Sequence, residues 1–337
     1  MQISVLDQSP CKSGISPSES IRESLVLAKE CERFGYHRYW LSEHHNTESV
    51  AGSAPEILIA AIAATTSRIR VGAAGIMLPH YSALKVAEQF RVLEAIAPGR
   101  IDLGLGRAPG SDGRTAFALN PDAARGVEKF PTQVRDVMAW TSGAKLPAEH
   151  PFRDIICQPQ GPTAPEIWIL GSSTYGAQLA GYFGLPYCYA HFFTDGEGTV
   201  EALDAYRRTF EPSAILAQPH CAIVVAALAA ETLEEAEYWY RSRAVSWAIR
   251  GRGKFIAMPS PEEAEAFELT DVERARMAAA RKTALIGAAP EVAARCKNLA
   301  ARLGLDELVI TTGATSSAAR IKSYELFARE FGLPPWT

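Results

Sequence analysis

The 337-residue sequence has no Cys-x-x-Cys pair, and its six cysteines (Cys11, Cys31, Cys157, Cys188, Cys221 and Cys296) are scattered singly. That excludes zinc-ribbon spacing, and a chain of this size needs no disulfide framework to hold its core. The cysteines are expected to be small buried thiols in a reducing compartment. No run of about 18 apolar residues occurs, so no membrane-spanning helix is expected. The opening residues, Met1 to Asp7, read as a strand and lack the basic segment of a signal peptide. Positive charge is also not in excess: the formal net charge is −4, which argues against a nucleic-acid partner. A cytoplasmic protein acting on a small molecule is the expectation left.

What is present is an ordinary globular composition, 47% hydrophobic and 21% charged, enough to bury a sizeable core. Apolar runs predict strands over 3–6, 38–41, 69–72, 101–105, 166–170, 186–190, 220–227 and 307–312. Helical spacing predicts helices over 19–34 (capped by Ser18 and ended by Gly35), 55–65, 83–96, 127–140, 173–182, 199–210, 232–249, 271–283, 290–302 and 316–331. Residues 141–165 read as irregular and 251–261 as an inserted loop. Eight strands alternating with helices call for a parallel sheet. They favour a closed (β/α)8 TIM barrel with insertions over an open doubly wound sheet, as a single domain over 1–337.

In such a barrel the residues after the strands converge on one face. Here they are Asp7, Gln8 and Ser9, then Glu43, His44, His45 and Asn46, then Ala73, Ala74, Gly75, Met77 and His80. Arg107 follows the fourth strand, Gly171, Ser172, Ser173 and Thr174 the fifth, and His191 the sixth. Histidine carries a proton near neutral pH. Adjacent histidines on an extended chain point opposite ways, so one catalytic histidine fits better than a metal held by Glu43, His44 and His45. A glycine followed by hydroxyl residues opening a helix suits a phosphate, with Arg107 as countercharge. Plain capping by Ser172 or Ser173 and a structural ion pair at Arg107 are the competing readings. The glycines at 104, 106 and 110 have the wrong spacing for a dinucleotide fingerprint. His37, His150 and His220 are read as structural.

Taken together, Trp40-Leu41-Ser42-Glu43-His44-His45, the run from Ile69 to Pro79, Lys85-Val86-Ala87-Glu88-Gln89, the run from Pro98 to Arg107 and Ile169-Leu170-Gly171-Ser172-Ser173 resemble the bacterial luciferase-like flavin monooxygenases. The match spans nearly the whole chain, and Val5-Leu6-Asp7-Gln8-Ser9-Pro10 resembles a subgroup whose members mostly lack an assigned substrate. The resemblance implies a barrel binding FMN, received reduced from a separate flavin reductase and used with O2 to oxygenate a small organic substrate. It implies His44 as the catalytic group with Glu43 beside it. Arg107, Ser172 and the helix opening at Ser173, with Gly171 and Tyr175, would be the phosphate site. Ala73, Ala74 and Gly75 would lie beneath the flavin ring, at the family's non-proline cis bond. It further implies a homodimer, through the helices at 55–65 and 83–96, and a mobile loop near 251–260. Met77, Tyr81 and Phe192 suggest an apolar substrate surface. A non-catalytic flavin-binding protein, a deazaflavin-dependent oxidoreductase and a metal-dependent barrel hydrolase are the alternatives.

Overall fold

Every second residue of the strands points into a closed barrel, and the residues between them face a ring of helices. The computed structural model describes residues 1–253 and 255–336; Lys254, inside the loop predicted at 251–261, and Thr337 lie outside the described residues. The strands are β1 (Gln2–Asp7), β2 (Arg38–Leu41), β3 (Arg70–Met77), β4 (Ile101–Gly106), β5 (Glu166–Gly171), β6 (Tyr187–Tyr189), β7 (Cys221–Ala230), β8 (Leu285–Ala288) and β9 (Glu307–Thr311). β1 to β7 pair in sequence order, and β9 closes the ring between β7 and β1, all in parallel. The helices are α1 (Pro17–Arg33), α2 (Pro55–Ala63), α3 (Ala83–Ile96), α4 (Gly113–Leu119), α5 (Ala123–Glu128), α6 (Phe130–Ser142) and α7 (Thr174–Phe183). They continue as α8 (Thr199–Thr209), α9 (Leu233–Ala248), α10 (Pro261–Glu265), α11 (Asp271–Thr283), α12 (Ala289–Leu303) and α13 (Ser317–Phe331). This is the expected (β/α)8 TIM barrel. Among the described residues no helix is long and apolar enough to cross a membrane.

The pleat sorts the strand residues into two cores. Val5, Tyr39, Val71, Leu103, Ile169 and Ile223 face the helices in the larger one. Leu6, Trp40, Trp168, Cys188, Ala222, Val224 and Val309 fill the barrel interior, with Trp40 and Trp168 edge to face at 5.0 Å. Below them the first inward residues are ionic: Arg38 binds Asp102 at 2.9 Å, Glu166 at 3.1 Å and Glu307 at 3.1 Å. The six cysteines are free and buried.

Several expected elements differ. A ninth strand, β8, pairs with the upper half of β7 where that strand rises above the ring; its four residues between two helices gave too short a run to read. β3 continues to Met77, through a register shift between Ala73 and Ile76. Ala73, Ala74 and Gly75 therefore lie inside a strand, not after one. Their small side chains suit a tight wall: a Cβ on Gly75 would come within 2.8 Å of the Gly104 carbonyl oxygen. The helix expected at 127–140 is two, since Pro131 in the first turn of α6 cannot continue α5. α4, capped by Asp112 through the N–H groups of Arg114 and Thr115, was not foreseen. Ser16, not Ser18, caps α1, in a reciprocal pairing with Glu19. Within the expected loop, Met258 exchanges backbone hydrogen bonds with Cys11 and Ser13, and Ser260 caps α10.

Candidate active site at the C-terminal rim of the barrel

β2, β3, β4 and β5 are neighbours in the ring, so His44, Arg107 and the Gly171–Ser173 turn lie at the ends of β2, β4 and β5, with Ala74-Gly75 inside β3 between them. Ser42 follows Arg38 and Trp40 on the inward face, and its hydroxyl lies 3.2 Å from Nδ1 of His44. The His44 backbone N–H is fixed on the Gly52 carbonyl at 2.9 Å. Burial lowers the pKa of His44 below the usual imidazole value; Glu43 opposes the shift, while His45 and Arg250 add to it. The ring is thus neutral at pH 7 and able to accept a proton.

Glu43 has a different setting. Its carboxylate is fully buried and takes hydrogen bonds from the Tyr81 hydroxyl at 2.6 Å and the Met77 N–H at 2.9 Å, with His45 Nε2 at 2.8 Å. These partners tie the end of β2 to the end of β3. His44 and His45 engage different groups, as adjacent residues of an extended chain should. Among the described residues no cluster of three or more His, Cys, Asp or Glu could hold a metal. Tyr81, read from sequence as part of an apolar surface, instead spends its hydroxyl on Glu43.

The peptide between Ala74 and Gly75 is cis, as the resemblance implied, and Ala74 packs against the barrel-interior cluster. Next to it Arg107 leaves β4 and lays its guanidinium over the Tyr175 ring, 4.0 Å from the centroid. Arg107 has no carboxylate partner among the described residues. His80 Nε2 holds the Pro109 carbonyl at 2.8 Å and so braces this loop. Ser173 is the N-cap residue of α7, yet its side chain makes no bond to the helix. The first N–H groups of α7 are therefore not filled by a cap, which leaves them for an anion. Tyr187 donates to the Ser173 carbonyl at 3.2 Å, fixing the turn from β6, while the Tyr189 hydroxyl donates to the Glu197 carbonyl. Ser172 and Ser173 are exposed and Gly171 half-buried.

Not every residue after a strand joins this group. Asp7 lies on the outward face of β1, fully buried, with Arg320 at 2.8 Å and the Tyr39 hydroxyl at 2.6 Å. Burial works against its charge, but Arg320 and its hydrogen bonds hold its pKa below the ordinary value. It is a structural clamp between β1 and α13. His150 and His220 face Asp136 and Glu307, at 3.3 and 3.5 Å, away from the rim. Arg250 went unnoticed in the sequence, at the edge of the predicted 251–261 loop. It stacks on Trp247 at 4.0 Å and is close enough to His44 to affect its proton affinity.

The family model for luciferase-like monooxygenases matches residues 1–307. The chain is 36% identical over 323 residues to a luciferase-like monooxygenase of Escherichia coli (strain K12), covering 96% of this chain and 95% of that one. It is 35% identical over 332 residues to the N-acetyl-S-alkylcysteine monooxygenase of Bacillus subtilis (strain 168), covering 97% of each. The crystal structure of apo-MsnO8 superposes with a TM-score of 0.90 at 34% identity, covering 99% of both chains.

Proposed function

The chain belongs to the luciferase-like monooxygenase family, and on that premise we propose that it is an FMN-dependent monooxygenase acting on a small organic substrate. The observation that supports this most is the uncapped N-terminus of α7 beside an unpaired Arg107, with neutral His44 two strand ends further along. These residues fit the group. The α7 N–H groups, the Ser172 and Ser173 hydroxyls and Arg107 would hold the phosphate, with Gly171 giving backbone room and Tyr175 backing the guanidinium. Ala74 and Gly75 would line the ring, whereas the Ala73 side chain, expected there, packs into the helix-facing core.

Reduced FMN, supplied by a separate reductase, contributes the two electrons that O2 needs for one oxygen atom to enter the substrate while the other leaves as water. His44 accepts and returns the proton at the reacting face, with Nδ1 steadied by Ser42. Glu43 sets the position of this segment through Tyr81 and Met77. A buried, neutral imidazole is a proton-transfer group that a mere flavin carrier has no use for. Exposed Ile57 on α2 and Val92 and Ile96 on α3 support a homodimer through these helices. Light scattering of Val92→Glu, read as a monomer, would support that assembly.

Titration of the protein with oxidised and reduced FMN, followed by absorbance and fluorescence, tests the main reading. Binding of reduced FMN and oxygenation of a substrate panel, N-acetyl-S-alkylcysteines first, are the expected results. No flavin binding in either redox state would sink the proposal, and binding of a deazaflavin in place of FMN would replace it. His44→Ala with unchanged oxidation of bound reduced flavin would leave a flavin-binding protein.

A further inference from the structure

A cavity of about 600 Å³ does not include His44 or Arg107. It lies between the turn after β6, the upper part of β7 and the helices α9, α11 and α12. That volume is in the range of small-molecule sites. Its walls combine Phe192, Val225, Trp247, Leu285 and Leu299 with three guanidinium groups, Arg243, Arg295 and Arg302, against one carboxylate, Asp195.

Arg243 is the telling residue. The buried arginines of this protein have partners: Arg38 three carboxylates, Arg320 Asp7, Arg91 the Pro159 and Thr141 carbonyls at 2.8 and 3.2 Å. Arg243 is half-buried and has no hydrogen bond or ion pair among the described residues. Its stem is wedged on Gly313, where a Cβ would come within 2.9 Å of Arg243 Cδ. The side chain is thus held against the cavity wall rather than free to reach out into water. Burial disfavours its charge and is opposed only by Tyr240 and Asp195 of the same cavity, so a ligand anion would offset that cost.

We propose that this cavity binds a carboxylate-bearing small molecule with an apolar body, its carboxylate on Arg243 and its body against Val225, Leu285 and Leu299. Arg295 and Arg302, exposed on α12, draw the anion in. Phe192 joins this cavity to the barrel interior, since it also packs against the cluster that holds Trp40 and Trp168. The inference does not rest on the flavin reading and is tested on flavin-free protein.

Calorimetry with 4-phenylbutyrate, its neutral amide and inorganic phosphate is the experiment. The acid should bind at least about tenfold more tightly than the amide or phosphate. Arg243→Gln should weaken the acid by about 10- to 100-fold, the range for a hydrogen bond to a charged group. Arg107→Ala should leave it unchanged, which separates this cavity from the phosphate site. If Arg243→Gln fails to fold, the double variant Arg295→Ala/Arg302→Ala, on an exposed face, should still weaken the acid severalfold. Equal binding of acid and amide, no binding of the acid, phosphate binding as tightly as the acid, no weakening in these variants, or loss of the acid in Arg107→Ala would each overturn the proposal.

Discussion

Arg38 at the lower mouth of the barrel and Arg107 at the upper mouth are the same side chain put to opposite use. Arg38 reaches Asp102, Glu166 and Glu307 and stacks over Trp168 at 4.8 Å, while Arg70 shares Asp102 at 2.5 Å. Each Arg38 nitrogen has a carboxylate partner, and Trp40 and Trp168 close the space above by donating to Asp102 at 2.8 Å and Glu166 at 2.9 Å. At the upper mouth Arg107 rests on one aromatic ring, the α7 N-terminus lacks a side-chain cap, and two serines are exposed. Polar groups at the bottom are spent on one another and hold the ring shut. Those at the top are left unspent, and that is what gives them a ligand to hold.

The contrast breaks first at His44. His44→Ala should lower turnover by about 10²–10⁴-fold, the usual contribution of a positioned acid or base, while reduced-flavin affinity and thermal stability stay near those of the parent. Steady-state kinetics beside flavin titration and a melting curve check this. A loss of stability as large as the loss of turnover would make His44 part of the scaffold. At the other mouth, Arg38→Met should cost about 3–5 kcal/mol of unfolding free energy, because it leaves Glu307 buried without its arginine and Asp102 with Arg70 alone. Denaturant unfolding measures it. Adding Asp102→Asn and Glu307→Gln should recover part of the loss, and a cost below about 1 kcal/mol would mean the lower network does not hold the ring.

These two sites also show what could be read from the chain alone. The alternation of apolar runs with helical segments located the eight ring strands, and the spread of motifs located the rim residues His44, Arg107 and Ser172. Which side of a strand a residue faces was not legible, because a strand buried on both faces shows no polar alternation. One residue of pleat separates Leu6, inside the barrel, from Asp7, clamped outside it by Arg320. That partner lies 313 residues later, beyond any local pattern. Glu43 was read as catalytic chemistry beside His44, since nothing in the sequence tells that Tyr81 and Met77 occupy its oxygens. Arg243 and Arg250 carry no local signal in the sequence; only the fold brings the turn after β6 against α9.

A smaller effect separates holding from catalysis at the upper mouth itself. Arg107→Ala should weaken FMN by about 10- to 100-fold, as expected for a charge-assisted contact, and leave unfolding within about 0.5 kcal/mol of the parent, since no protein group loses a partner. Ser172→Ala should act in the same direction with a smaller loss. Fluorescence titration against FMN and against riboflavin sharpens the point: the variant's deficit should vanish for riboflavin, which lacks the phosphate. A deficit that persists would place Arg107 elsewhere than at the phosphate.

The mildest probe is pH, and it should pull the two mouths apart without a mutation. Burial opposes the charge of Glu307, but Arg38, His220 and Ser4 hold its pKa at about 2. A carboxylate whose folded value is depressed contributes its full stability above its unfolded pKa and loses it as pH falls toward the folded one. The lower network should therefore begin to fail only below about pH 4.5, as the unfolded-state carboxylate begins to take up its proton. His44 is shifted down by burial, so its neutral form, the one that accepts a proton, persists to a pH below the ordinary imidazole value of about 6.5. Turnover should accordingly decline on an acid limb that lies below pH 6.5. Arg250 contributes to that depression. Arg250→Met should thus move the limb upward, while the melting temperature at pH 4 stays that of the parent. A limb that coincides with the unfolding transition would show that acid acts on the scaffold rather than on His44.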